Sequence, residues 1–439
     1  MTPAPIDRLD TVVQHSASST TLRNFQAVKQ PPFGVTTTQT ADQDILGQDY
    51  ELDNDERNSS SSDAEAASGE VRIQVYGETS LLHHQSSKAM STDAPPISQD
   101  EERLLREAAR DRLVAYAAIR RQEEIALSSS PSTVANIDFD GVPMGMAMHL
   151  LDLHWNRQHL SYLVSYRPAI MDSLIHGGSY VNKLLLNAIY FSSSPYSDRT
   201  ALRSDPQDPQ TVGLVFYDRF KDLLAYHIDR PTIPTVVGLL ICGSSLVPHG
   251  KQSAGWVLCG VAYRMMNDLG CHLEIPVSSQ NRASVTPTPF DVEIRKRIYW
   301  GAFVCDKFQS LFLGRPPALH ASAATVSSEL LDTYEEMEEW KPYVDPLAQP
   351  FDGSAPAYPG RPVYAISTFQ CLLRLCGIAG RIIDAFYSIR SAETPVEILL
   401  QTRHEIKAEL YHWRNSLPTH LRLDPNVDAT PPPHQITPQ

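Results

Sequence analysis

Apolar positions recur at helical spacing almost throughout residues 141–423. Met144, Met148, Leu151, Trp155 and Tyr162 form one such stripe. Trp256, Cys259, Tyr263 and Met266 form a second, with Gly270 as its expected stop. Ile406, Leu410, Trp413 and Leu417 form a third, ended by Pro418. Pro-rich loops such as "VTPTPF" and "QPFDGSAPAYPGRP" separate the helical stretches. No strands alternate with these helices, which argues against a parallel-sheet enzyme fold, and no fixed-period repeat is present. The predicted fold class is all-α: a large, irregular helical domain.

The most informative helix is "EIRKRIYWGAFVCDKFQSLFLGRPPAL", residues 293–319. Asp291 is a candidate cap and Glu293 suits the first turn. Ile294, Ile298, Gly301, Cys305, Phe308 and Phe312 make one apolar stripe, which Trp300, Val304 and Leu311 widen. Apolar over more than half its circumference, the helix is predicted to be central and largely buried. Gly314 supplies a left-handed stop, and Pro316 and Pro317 forbid continuation. Asp306 needs a partner inside such a helix; a structural ion pair is favoured over a general acid, with Arg264 or Arg315 as candidate partners. Arg295, Lys296 and Arg297 are expected to form an exposed first turn, with a Glu293–Arg297 pair.

Upstream, residues 98–127 read as a charged helix capped by Ser98 or Asp100, with Glu102 and Arg106 four apart. Its six acidic and six basic residues over 101–127 balance. Residues 1–97 read as a disordered, acidic, Ser-rich arm. The first hundred residues hold fifteen Asp and Glu against six Lys and Arg, which is −9 of the chain's net −14. "VRIQVYG" at 71–77 alternates like a short strand. The expected organisation is therefore the arm over 1–97, the charged helix over 98–127, a linker over 128–140, a helical domain over 141–425 and a Pro-rich tail over 426–439. An acidic chain is a poor neutraliser of phosphates, so nucleic acid would need a separate basic module. The longest mostly apolar run, 233–247, is short for a bilayer, and no membrane partner is expected.

Catalytic signatures are missing: no G-x-G-x-x-G, Walker loop, G-x-S-x-G or H-E-x-x-H occurs. All six cysteines fall at or after Cys242 without paired spacing, which suits buried hydrophobes. His154 and His159 are five apart, a poor match to one helix face, and read as a polar patch at a helix end. "YEEMEEW" at 334–340 reads as a solvated acidic patch. No catalytic, metal-binding or DNA-binding residue is assigned, and an enzyme is not expected.

These residues together resemble the fungal-specific transcription factor domain, the middle homology region of zinc-cluster (Zn2Cys6) regulators. The resemblance is carried by Arg295 and Arg297, Trp300, Asp306 with Lys307, and Gly314, Arg315 and Pro316. Trp256, Gly260, Ala262, Arg264, Leu269, Gly270 and His272 resemble the preceding family helix. "HLLDLHWNRQHLSYLVSYRPAIMDSL", "KLLLNAIYFSSS" and "LDTYEEMEEWKPY" resemble the nitrate-assimilation and xylanolytic-type regulators. The resemblance implies an effector domain that regulates transcription in the nucleus. Partners would be the transcription machinery and a homo- or heterodimeric relative. The family binds DNA through six cysteines that hold zinc. With no cysteine before Cys242, zinc and DNA are expected only through a module this sequence lacks. The domain is also expected to be incomplete at its C-terminus, because "HLRLDPNVDATPPPHQITPQ" resembles a loop that family members follow with further helices. The alternative reading is a DNA-binding-deficient protein that pairs with an intact regulator and modulates it.

Overall fold

The computed structural model describes residues 98–129, 137–274, 288–347, 358–423 and 430–438, all within one compact unit, Ser68–Gln439. The acidic arm over 1–97 and the "VRIQVYG" stretch lie outside the described residues. The described residues are helical apart from loops and one two-residue antiparallel pairing.

The charged helix α1 (Gln99–Ser129) starts at Ser98, whose hydroxyl accepts from the Glu101 N–H while the Glu101 carboxylate accepts from the Ser98 N–H. This reciprocal cap satisfies two donors at a helix start. The Glu102–Arg106 pair forms at 2.9 Å. Leu113 and Ala117 are buried, and α1 packs on α3 (Arg167–His176) and on the central helix.

α2 (Met144–Leu153) continues through a π turn, His154–Gln158, into a last helical turn, His159–Tyr162. α4 (Lys183–Ser193) is capped by Asn182 and lies fully inside from Leu184 onwards. It packs between α5 (Leu214–His227) and α6 (Ile233–Leu246). α6 is apolar all round and Thr232-capped, as suits a helix buried on every side. α7 (Gln252–Asp268) runs back along it.

The central helix is α8 (Pro289–Leu313), as its breadth of apolar positions predicts. Its cap corrects the sequence reading: Thr288 is the capping residue, and Asp291 is the acidic partner of a capping box, bonding back to the Thr288 N–H at 2.8 Å. Gly314 ends it at φ 64°, the left-handed geometry that favours glycine. Gly301 sits where a Cβ would stand 2.5 Å from Tyr162 O and from Val164 Cγ1, so α8 meets the end of α2 backbone-close. The stripe is buried only as far as Cys305, with Phe308 half-buried. Leu311 and Phe312 are 46% and 71% exposed because the last turn overhangs the core.

A short α9 (Tyr334–Met337) and β1 (Glu339–Trp340) follow, and β1 pairs with β2 (Arg361–Pro362). α10 (Ala365–Ile382) and its π turn to Tyr387 are long and apolar enough, by length and composition alone, to cross a membrane. Here Phe369, Leu372 and Cys376 bury that face in the core that α8 shares. α11 (Val396–Asn415) packs on α10. The tail is more than an extension: in α12 (Pro433–Ile436), buried His434 and Gln435 bond the Val363 carbonyl, at 2.6 and 2.9 Å.

Candidate functional site

The front half of α8 carries a buried ionic network. Glu293 accepts from the backbone N–H groups of Leu331 (3.0 Å) and Asp332 (3.3 Å) and from Arg297 Nε (3.3 Å). Arg297 is fully buried; its Nη1 donates to Glu335 at 3.0 Å and its Nη2 to the Asp332 carbonyl at 3.2 Å. Its guanidinium also stacks over the Tyr166 ring. The Glu293–Arg297 pair therefore exists, but the exposed first turn does not. Lys296 is likewise buried and donates to the Glu329 carbonyl, while Arg295 donates to the Leu269 carbonyl at the end of α7. The helix recruits these cations to tie down a loop whose carbonyls face the core.

The network continues into α2. Glu335 Oε1 accepts from His159 Nε2 at 2.8 Å. His159 Nδ1 lies 2.9 Å from the Ser165 hydroxyl and His154 Nε2 3.1 Å from it, so one hydroxyl joins both rings, donating or accepting according to their tautomers. The polar-patch reading of the two histidines is corrected by the π turn. The His159 N–H bonds His154 O, five residues back, which brings the two side chains together around Ser165. The solvated reading of "YEEMEEW" is also corrected, since Glu335 is only 5% exposed. Burial opposes its charge, but His159 and Arg297 outweigh burial and hold its carboxyl well below the usual range. Burial drives the His154 imidazole well below its ordinary value. Asp332 goes the other way: burial pushes it up to about 6 despite Arg297 and the Tyr166 hydroxyl, 2.7 Å away.

Ser165, His159 and Glu335 have the connectivity of a nucleophile, base and carboxylate. Ser165, however, is fully buried and shared with His154, and Glu335 is committed to Arg297. The arrangement holds α2 against α8 and the 330s loop.

The second half of α8 holds the turn after it. Asp306 accepts from the N–H groups of Ala318 (2.9 Å) and Leu319 (3.0 Å) and from Lys307 Nζ (2.8 Å). Lys307 also donates to the Leu319 carbonyl and sits over Phe303. The structural ion pair expected at Asp306 is present; its partner is Lys307, not Arg264 or Arg315. Arg264 is exposed, and Arg315 lies over Trp256 instead. Trp300 Nε1 donates to the Ser327 carbonyl at 2.9 Å. The α8 members of the signature thus face inwards, while Trp256, Gly260, Arg264, Gly314, Arg315 and Pro316 are half-buried or exposed. Gly270 is buried and closes α7 at φ 70°.

Between α2, α9 and β1 lies a polar cavity of about 310 Å³. Asp152, Trp155, Asn156, His159 and Leu160 line one wall, and Glu335, Glu338 and Trp340 line the other. Trp340 Nε1 donates to the Asn156 carbonyl, and Asn156 Nδ2 to the Lys341 carbonyl, which fixes β1 over the π turn. Sequence reasoning passed over this site. The signal was available, because positions 152, 155, 156, 159 and 160 share one helical face. Asp306 is not in the cavity.

The zinc that the family's DNA-binding clusters hold does not fit the cysteines present here. All six are buried without disulfide partners, and among the described residues they form no group of three or more side chains close enough to share a metal ion.

Taken together, these features describe an all-helical domain whose conspicuous charges are internal ties. A profile of the fungal specific transcription factor domain matches residues 151–415, and the chain belongs to that family. It is 28% identical over 279 residues to the nitrogen assimilation transcription factor nirA of Emericella nidulans, covering 62% of this chain and 30% of that protein. It is 28% identical over 280 residues to a transcriptional regulatory protein of Schizosaccharomyces pombe, covering 62% and 41%. With the nitrogen assimilation transcription factor nit-4 of Neurospora crassa it shares 26% over 287 residues, covering 62% and 25%. The matched region thus spans between a quarter and about two fifths of these relatives' lengths. No solved structure matches.

Proposed function

We propose that this chain acts as the regulatory region of a fungal zinc-cluster-type transcription regulator, controlling DNA-templated transcription in the nucleus. The observation that carries the reading is the family match over 151–415, together with relatives named as transcription regulators. In this reading the domain works through contacts with the transcription machinery and with related regulators, and it is not an enzyme. Sequence-specific DNA contact belongs to a zinc-cluster module of the family type. Lys296, Arg297 and Lys307 do not serve it, because they are buried and bonded within the domain.

The test is transcript profiling in the organism that encodes the chain, with the gene deleted and then restored, alongside imaging of the tagged protein. The reading expects nuclear signal and a reproducible transcript set that changes on deletion and recovers on restoration. An unchanged transcriptome, or a protein held outside the nucleus, contradicts it.

A further inference from the structure

The start of α7 and the end of α8 form a surface that carries cations and no acid. No Asp or Glu occurs over 247–267 or 307–320, in a chain of net charge −14. Lys251 and Arg264 are exposed and Arg315 is half-buried. Among the described residues none of the three makes an ion pair, not even Arg264 with Asp268 four residues on. No side chain caps α7, its first turn holds no acid, and Lys251 stands at the cap itself. That is the positive end of the helix dipole, where an anion is stabilised and a cation is not. α1 and α8 both carry acids in that turn.

The same surface is apolar between its cations. α7 and α8 run antiparallel here: Gln309 Nε2 donates to Cys259 Sγ at 3.2 Å, and the Arg315 guanidinium lies over the Trp256 ring, 5.3 Å from its centre. Phe312 falls between those two contacts in sequence and is left 71% exposed. Val257 is 60% exposed and shares a face of α7 with Arg264, two turns on. Large apolar side chains grouped in this way mark contact surfaces. Arg315 makes no side-chain hydrogen bond among the described residues. Stacking on Trp256 uses the faces of its guanidinium and leaves the in-plane donors free for a carboxylate.

We propose that this face docks an acidic segment with interspersed apolar side chains, supplied by a partner protein. Its carboxylates lie on Arg315, on Arg264 and at the start of α7 beside Lys251, and its apolar side chains cover Phe312 and Val257. Charge complementarity selects this occupant: the surface offers cations that nothing in the domain neutralises. A nucleic acid fits less well, because three cations neutralise few phosphates and the apolar side chains between them suit a peptide. The proposal goes beyond the regulatory reading and does not depend on it.

The test is fluorescence anisotropy of the full chain with a labelled peptide in which Asp alternates with Leu and Phe. The controls are the same peptide with every Asp replaced by Asn, the same peptide with every Leu and Phe replaced by Ser, and a labelled thymidine oligonucleotide. The acidic apolar peptide is expected to bind saturably and to weaken with added salt, and each control to bind at least tenfold more weakly. Arg264→Glu and Arg315→Glu are each expected to weaken the peptide at least tenfold, and Phe312→Ser several-fold. Arg264→Glu and Phe312→Ser change exposed side chains and should leave the thermal midpoint in place. Arg103→Glu, on α1, changes the net charge equally and should leave binding unchanged. The proposal is overturned if the peptide fails to saturate up to millimolar concentration, or if Arg264→Glu and Arg315→Glu bind it as well as the parent. It is also overturned if Arg103→Glu weakens it as much as they do, or if the oligonucleotide binds better than the peptide, which would make the face a nucleic-acid contact. Any of these leaves the transcript-profiling test of the regulatory role untouched.

Discussion

Arg297 Nη1 donates to Glu335 Oε2 at 3.0 Å across 38 residues of chain, with the guanidinium wholly removed from water. A cation in that position must be matched almost completely, and Glu293, Glu335 and the Asp332 carbonyl do so. Arg297→Leu keeps much of the volume but strands two buried carboxylates. Urea unfolding should show a loss of about 3–5 kcal/mol. The double variant with Glu335→Leu should cost less than the sum of the two single changes, because the second removes one stranded charge.

Asp306 plays the corresponding part at the other end of α8. Asp306→Ala removes the acceptor for two backbone N–H groups and leaves Lys307 without its anion. A loss of about 3 kcal/mol is expected by denaturation. Amide exchange should quicken at Ala318 and Leu319 before it does in α4 or α6. A uniform change across the chain would contradict the local role.

Gly301→Ala tests the close approach of α8 to the end of α2. The added methyl meets the Tyr162 carbonyl and the Val164 side chain at 2.5 Å. A drop of about 1–3 kcal/mol is expected by thermal or urea unfolding, through overpacking. Gly260→Ala is the control: on an open part of α7 it meets nothing within 4 Å, and it should be neutral or slightly stabilising.

Asp152 makes a pH prediction. Burial, then Glu124 on α1, pushes its carboxyl up to about 6, against the opposing pull of Arg167 on α3 and Arg121 on α1; Tyr343 faces it from beyond β1. A folded pKa above the unfolded value favours the protonated form. The penalty is absent below about pH 4 and grows as pH rises through about 6. Asp152→Asn should therefore stabilise the protein by about 2 kcal/mol at pH 7 and have little effect at pH 4. Asp332, also raised to about 6, keeps part of the slope in the variant. Glu335 acts oppositely: its depressed pKa gives stability above the usual carboxylate range that is lost as pH falls below it. Equal effects of Asp152→Asn at both pH values would contradict the assignment.

Much of α8 was legible because its determinants are local: a broad apolar face, an acidic first turn and a Gly-Arg-Pro-Pro stop. Its buried position followed from that breadth. The fate of its cations did not. Arg297 has an obvious neighbour four residues back, but its second carboxylate comes from the short helix α9, whose placement against α8 no periodicity encodes. The same non-local pairing hid Glu335 within an acidic run that looked solvated. His154 and His159 were misplaced for a different reason. A spacing of five is wrong for an α-helix and right for a π turn, and both rings then meet the Ser165 hydroxyl. Phe312 and Leu311 were misread as core because a helix can outrun the layer it packs on.

The most direct measurement of the central claim is a reporter assay with the chain fused to an unrelated DNA-binding domain in a fungal host. Reporter output should shift, up or down, relative to the DNA-binding domain alone at matched abundance. Arg297→Leu, by loosening the framework, should abolish that shift, whereas Gly260→Ala should retain it. If the intact fusion accumulates in the nucleus and leaves the reporter at baseline, the chain is not a transcription-regulating domain.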